Sequence, residues 1–456
     1  MRQPHRYIDT CRPLAMATES AYGAFLRDLP TDWQVERISV MAKVVGGGTP
    51  SRDVSSLWGG EIPWVTPGEV SREGSAYLSE TRERISELGL AGSGATVLPP
   101  GSLMITTRAT LGARAINAVP MTTNQGFKSL VFVSGADAPF YYYLTEKLKP
   151  ELKRRASGTT FLEVSGAELG KIEVPVPPLH ERRLIAEILD NLDTTIRQTE
   201  AVIEKLKLVK QGLLHDLLTR GIDANGELRP PQSQAPHLYK NSPLGWIPTE
   251  WSAVTLNDLV DQRRPIVYGI LMPGQGHEGG VPVVKVKDIV GGSIRLDQLL
   301  LTSPAIDREY KRSRLRCGDL LFTIRGSVGR TAFVPAQLDG ANITQDTARI
   351  EVSRLDSRFV REYLAMPSPS SFIATHTLGV AVQGINLRDV RRIPLAAPEA
   401  HEATRIADII ETSNGRIAAE KLTLEKIKLA RTGLMDDLLT GRVRVTPLLQ
   451  AAPASA

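Results

Sequence analysis

Two stretches of the chain carry apolar residues spaced in alternating fours and threes. The first runs Ile185, Leu189, Leu192, Ile196, Thr199, Ile203, Leu206, Lys210, Leu213, Leu217. The second runs Ile406, Ile410, Ser413, Ile417, Glu420, Leu424, Ile427, Arg431, Leu434, Leu438. A seam of this period, kept up for over four heptads, predicts a long coiled-coil helix in each stretch. Polar residues interrupt both seams at matched places, Thr199 with Glu420 and Lys210 with Arg431. Such residues set register and partner at some cost in stability. Pro177-Pro178 and Pro398 mark the helix starts, and Gly221 and Gly441 mark the ends. Two such seams in one chain most simply pack on each other, as a rod of roughly 50 Å at 1.5 Å per residue. The plainer alternative packs each helix on its own globular unit.

The two stretches are copies. His180-Glu181, Ile185-Ala186, Ile188 and Leu217-Leu218-Thr219 recur 221 residues on as His401-Glu402, Ile406-Ala407, Ile409 and Leu438-Leu439-Thr440. Such self-similarity fixes the architecture before any local reading. The copy extends beyond the helices, because Leu29-Pro30-Thr31-Asp32-Trp33 recurs as Ile247-Pro248-Thr249-Glu250-Trp251. Between these marks the sequences diverge, but islands match. Ile62 to Val70 lines up with Val281 to Ile289, Gly101 to Gly112 with Gly318 to Gly329, and Thr123 to Gly126 with Ile343 to Asp346. The islands are short β-rich runs between Gly and Pro turns. Helices are expected at Phe140 to Arg155 and at Ser357 to Ala365.

The expected fold class is therefore α+β, with two β-rich units and two long helices in an internal pseudo-two-fold repeat. The expected divisions are a loose leader at 1–28, a first unit at 29–176, a first helix at 177–221 and a linker at 222–245. A second unit follows at 246–397, a second helix at 398–442 and a tail at 443–456, frayed from Thr446. The linker rests on the Pro/Gln/Ser/Ala-rich composition of Gly226 to Pro243. Met16 is a second candidate start, because the repeat begins only at Leu29.

Composition adds bounds. At 456 residues and 42% hydrophobic, the chain suits two to three cored domains rather than disorder. No window of 18 consecutive apolar residues predicts a membrane span, and the first 28 residues lack a signal-peptide core. The two cysteines, Cys11 and Cys317, are too few for a disulfide framework or a zinc cluster and suit a reducing, cytoplasmic setting. A net charge of +5 permits a nucleic-acid partner without demanding one.

The motifs of common chemistry are missing. Gly170-Lys171 is followed by Ile172, so no phosphate loop exists there. His180-Glu181 and His401-Glu402 lack the second His of a zinc protease helix. There is no Gly-x-Ser-x-Gly elbow and no Asn/Asp-Pro-Pro-aromatic run of an amino-methyltransferase. Gly46-Gly47-Gly48 lacks the rest of a dinucleotide fingerprint. Glu151-x-Lys153 reads as the exposed face of a helix rather than part of a nuclease. No catalytic or metal-ligating residue is assigned.

The duplicated β-rich unit followed by a long helix resembles the specificity (S) subunit of type I restriction–modification enzymes. The resemblance spans Leu29 to Arg442. It is carried by Pro177-Pro178-Leu179-His180-Glu181-Arg182-Arg183-x-Ile185-Ala186-x-Ile188-Leu189 and by Lys210-Gln211-Gly212-Leu213-Leu214-x-x-Leu217-Leu218-Thr219. Gly47-Gly48-Thr49-Pro50-Ser51, followed by Trp58 to Val65, resembles the opening of a target recognition domain. The resemblance implies that each unit reads one half of a split, asymmetric sequence in double-stranded DNA. It implies that the helices form an antiparallel coiled-coil spacer on which modification (M) subunits, two in number, and restriction (R) subunits assemble. S-adenosylmethionine, ATP and Mg are then expected on those partners, with no cofactor in this chain. The second copy departs from the pattern at Pro398 to Thr404, which lacks a basic pair matching Arg182-Arg183, and at Val267 to Ile270, where Gly-Gly-Thr-Pro-Ser is missing.

Base readout uses Arg, Lys, Asn, Gln, Ser and Thr on loops. The candidates are Thr49, Ser51, Arg52, Thr107, Arg108, Asn124, Gln125 and Lys128 in the first unit. In the second they are Lys285, Lys287, Arg325, Ser327, Thr344 and Gln345. Arg108 and Arg325 occupy matched places and suggest a shared phosphate contact. The competing reading makes these matched islands fold-keeping residues. His180, Glu181, Arg182, His215 and Asp216 are candidate docking residues on polar helix ends. Two other functional classes stand beside DNA recognition: a helical protein-binding adaptor without DNA specificity, and a bifunctional chain with a cryptic nuclease or methyltransferase site.

Overall fold

The computed structural model describes residues 21–70, 75–134, 137–158, 162–379 and 383–451. Its contacts divide the chain into one unit of residues 1–201 with 421–456 and a second of residues 202–420. The divisions fall inside the two long helices, Leu179–Thr219 and Ala400–Thr440, so each unit holds one half of each helix.

In the first unit a five-stranded sheet runs in the order Ala42–Gly46, Phe127–Phe132, Leu103–Thr106, Arg114–Asn117, Tyr77–Leu78. All its pairs are antiparallel except the last. Trp58–Val65 leads a smaller sheet, paired with Glu83–Ile85 and parallel to Thr122–Thr123. The helix Ala138–Arg155 lays Phe140, Leu144, Leu148 and Leu152 against Leu103, Ile105, Ile116 and Leu130. Ile185 and Leu189 of the first long helix and Leu438 and Leu439 of the second join the same core. Asp193 with Arg431, and Glu200 with Lys428 at 2.8 Å, pair the helices in opposite directions.

The second unit repeats this plan. Its four-stranded sheet is Val267–Tyr268, Thr347–Ile350, Leu320–Thr323, Thr331–Phe333. Val281–Val284 pairs with Leu300–Thr302 and runs parallel to Asn342–Ile343. Leu217, Leu218, Ala403, Ile406 and Ile410 share its core with Phe322, Ile350 and Phe359. Every seam residue named from the sequence is buried or half-buried, because a 3.5-residue period keeps one face on the partner. The helices expected at Phe140 to Arg155 and Ser357 to Ala365 lie at Ala138–Arg155 and Ser357–Leu364. A further helix at Pro367–His376 had no sequence expectation.

The duplicated His-Glu and Pro-Thr-Asp/Glu-Trp motifs meet in space. In the second unit Glu402 is buried and accepts from Trp251 Nε1 at 3.1 Å, from the Ile222 backbone at 2.9 Å and from Arg229. Arg229 also pairs with Glu250. In the first unit buried Glu181 accepts from Trp33 Nε1 at 3.2 Å and from Arg444, which reaches Asp32 at 2.7 and 2.9 Å. Buried indoles and carboxylates both need such partners. Glu181 is thus a structural latch rather than a docking residue. Arg182 is likewise committed, to Asp137. His180 and His215 are exposed, and Asp216 pairs with Arg220 at 3.0 Å.

Four other expectations change. Of the leader at 1–28, residues 1–20 lie outside the described residues, while Ala21–Arg27 is helical and buries Tyr22 against the core. The linker at 222–245 is folded: Ile222 bridges Leu228, Arg229 is buried, and Tyr239–Ser242 forms a hairpin with Gly245–Pro248. Its Pro and Gly residues shape turns, which composition alone reads as flexibility. In the tail, Val445 is buried and Thr446–Ala451 is helical. Glu151 is buried beneath Arg154 and Arg155, which hold its carboxyl below the usual range, with Arg154 the larger cause.

Candidate nucleic-acid interface

In the first unit the chain leaves the strand Leu103–Thr106 through a tight loop. Gly112 donates to the Thr106 carbonyl at 2.9 Å, and Ala113 donates to Thr106 Oγ1 at 3.0 Å. The Thr107 N–H donates to the Gly126 carbonyl at 2.8 Å, and the Thr107 carbonyl accepts from Val164 at 2.9 Å. Gly48 donates to the Thr123 carbonyl at 2.9 Å. These bonds draw four separate segments onto one platform. A Cβ at Gly47 would stand 1.9 Å from the Asn124 carbonyl oxygen, so only glycine passes there.

The second unit builds the same platform. Gly329 donates to the Thr323 carbonyl at 3.0 Å and Arg330 to Thr323 Oγ1 at 2.8 Å. Ile324 donates to the Asp346 carbonyl at 2.8 Å, and Ile385 to the Ile324 carbonyl at 2.9 Å. Ile270 donates to the Ile343 carbonyl at 2.8 Å, and a Cβ at Gly269 would stand 1.9 Å from that oxygen. Gly269 therefore does the work of Gly47, although the surrounding Gly-Gly-Thr-Pro-Ser run is absent.

On these equal backbones the side chains differ. In the first unit Thr49 Oγ1 donates to Gln125. Arg52 lies 3.8 Å over the Trp58 ring and pairs with Glu83, whose carboxyl it holds below the usual range. Lys128 Nζ donates to Glu163 at 3.3 Å, and Arg108 lies 3.9 Å from the same carboxylate. In the second unit Arg325 donates to Gln345 at 3.3 Å. Leu271 and Met272 stand exposed where the first unit has Thr49 and Pro50, Met272 at 82%.

Several sequence candidates take fold-keeping places. Thr107 and Thr344 are buried and present no side chain to a base edge; Thr107 Oγ1 turns to the Gly126 carbonyl at 3.5 Å. Asn124 closes its own turn by accepting from Gly126 at 2.8 Å. Lys285 is half-buried and its N–H is capped by Asp288 at 2.9 Å. The carbonyl of exposed Ser51 accepts from Trp58 at 2.9 Å, and that of exposed Lys287 accepts from Arg295 at 3.0 Å. Ser327 is half-buried. Gln125 and Arg325 are exposed, Gln345 is half-buried, and all three stand on the platforms. Sequence reasoning missed Glu163, because a lone Glu outside any periodic run carries no signal. Carrying the 221-residue offset back from the helices would have placed it opposite Gly384.

Among the described residues no group of three or more His, Cys, Asp or Glu side chains is placed to hold a metal. No described helix is long and apolar enough to cross a membrane.

A family model described as the type I restriction modification DNA specificity domain matches residues 30–208. The MjaIX type I restriction enzyme specificity subunit of Methanocaldococcus jannaschii is 25% identical over 92% of this chain and 95% of its own length. The EcoBI specificity subunit of Escherichia coli is 28% identical over 69% of this chain and 71% of its own. The crystal structure of the S subunit from M. genitalium superposes with a TM-score of 0.53, at 14% identity, covering 90% of this chain and 98% of that one. The duplicated fold, its paired loop platforms and these relatives agree: residues 30–208 match a type I restriction modification DNA specificity domain, and along nearly its whole length the chain is similar to the specificity subunits of type I restriction–modification enzymes.

Proposed function

We propose that this chain reads a split, asymmetric DNA target, one half with each loop platform. The observation that supports this is the pair of platforms themselves: equal backbones carrying different side chains. Two identical readers would call for a palindrome; two that differ at Thr49 and Leu271, or Lys128 and Ala348, do not. Readout falls to Thr49, Ser51, Arg52 and Gln125 in the first half, with Lys128 beside them. In the second it falls to Ser327 and Gln345, with Lys285 and Lys287 beside them. Arg108 and Arg325 make matched phosphate contacts.

The chain works in the cytoplasm as the scaffold for two modification subunits, which carry S-adenosylmethionine. Restriction subunits bring ATP and Mg. Exposed aliphatic residues on the long helices support a docking role. Val202 and Val209 lie one heptad apart in the second unit, as do Leu422 and Leu429 in the first, with Leu429 75% exposed. A heptad spacing puts each pair on one helix face, off the buried seam.

Methylation mapping tests the proposal. Cells carrying this gene with its modification subunit should show a bipartite, asymmetric methylated motif that disappears when the gene is deleted. An active modification subunit with no such motif would reject it.

A further inference from the structure

The two platforms differ in charge at one matched place. In the first unit Arg108 and Lys128 converge on Glu163, whose side chain is 38% exposed. The backbone pairings identify its counterparts. Arg108 bridges Glu163 as Arg325 bridges Gly384, and Ser157 bridges Glu163 as Leu378 bridges Gly384. Lys128 lies opposite Ile105 as Ala348 lies opposite Phe322. The second unit therefore has one arginine where the first has two cations and a carboxylate.

A carboxylate on a DNA-facing platform repels phosphates and occupies the cations that would meet them. It lowers affinity for every duplex unless something on a particular duplex compensates. An ionised carboxylate can only accept hydrogen bonds. The donors that a major groove offers are the exocyclic amino groups of cytosine and adenine. We infer that Glu163 is a specificity-determining residue of the first unit, accepting a hydrogen bond from an exocyclic amino group in the first half-site. Arg108 and Lys128 hold it in place before binding and lie ready for flanking phosphates. A duplex without that amino group meets an uncompensated negative charge, which is discrimination by repulsion as well as attraction. This role rests on the DNA-reading proposal above.

The test uses the full chain assembled with its modification subunits. Binding is measured to a duplex carrying the mapped target and to a scrambled duplex, at two salt concentrations. For Glu163→Ala, which removes the acceptor with the charge, affinity for the target should fall about tenfold, the size of one base contact, while affinity for the scrambled duplex holds or rises. The methylated motif in cells should become degenerate at one position of one half. Replacing that base pair should cost the wild-type complex the same factor and cost Glu163→Ala nothing further. Equal shifts of both affinities would mark Glu163 as an electrostatic neighbour only and overturn the role. An unchanged motif would overturn it too. Glu163→Leu, which also removes both the charge and the acceptor, gives the same comparison if the alanine variant does not assemble. A wild-type complex that failed to tell the two duplexes apart would instead reject the DNA-reading proposal, and this role with it.

Discussion

The latch in the first unit and the latch in the second perform one task with parts drawn from different places. Each has a buried glutamate at the start of a long helix, an indole from the Pro-Thr-Asp/Glu-Trp motif and an arginine. The glutamates and indoles obey the repeat; the arginines do not. Arg229 stands eight residues past Gly221, Arg444 three past Gly441. The loop platforms do the opposite, keeping the backbone and changing the chemistry. A buried carboxylate must have its partner whatever its origin, because an uncompensated charge away from water costs several kcal/mol. Solvent-facing side chains carry no such requirement and vary freely on a fixed scaffold.

The largest expected effect separates the two latches. Arg229 is 9% exposed and loses its buried partner in Glu402→Ala, at a cost of about 3–5 kcal/mol. Arg444 is 31% exposed and water reaches it, so Glu181→Ala should cost about 1–3 kcal/mol. Urea unfolding, with hydrogen exchange around Trp251 and Trp33 to localise the loss, measures both. Equal losses would break the comparison.

Next come the matched arginines, read in the assembled complex. Arg325→Ala should weaken DNA binding and lower the slope of log affinity against log salt by about 1, the loss of one phosphate contact. Arg108→Ala should weaken binding with a smaller slope change, because Glu163 already shares the Arg108 charge. Unchanged affinity at moderate salt for either would remove it from the interface.

A smaller effect lies in the loop backbone. Ala109 has φ +62° where the second unit has Gly326 at +75°. A Cβ at Gly326 meets nothing within 4 Å, so Gly326→Ala carries only the conformational cost, about 1 kcal/mol. Ala109→Gly should be neutral to slightly stabilising, as thermal unfolding would show.

The smallest effect is one of pH. The Arg52 guanidinium holds the Glu83 carboxyl below its usual range, so the folded state keeps the charge to lower pH than the unfolded chain does. The pair's contribution is present above the usual carboxylate range and disappears as pH falls through the lowered value. Arg52→Gln should flatten that part of the acid limb. An unchanged limb would show that solvent screens the pair completely.

The long helices were legible because their signal is local and repeated: a 3.5-residue period over many turns leaves few alternatives. The islands Gly101 to Gly112 and Gly318 to Gly329 were legible as a pair because duplication aligns them. Their roles were not, since burial depends on what crosses above. Thr107 and Thr344 look like readers in the sequence and lie inside the fold. The segment 222–245 looks like a linker and forms a hairpin.

The sequence by itself determined the repeat, the helix pairing seams and the family resemblance, since each is written in the order and spacing of residues along the chain. Only the tertiary structure decided that Glu181 and Glu402 are latches, that Gly269 replaces Gly47, and that Glu163 sits between Arg108 and Lys128. Those roles depend on groups brought from 35 to 263 residues away. Hydrogen bonds and ion pairs act over a few ångströms in space, and sequence spacing does not encode which distant segments the sheets will bring together.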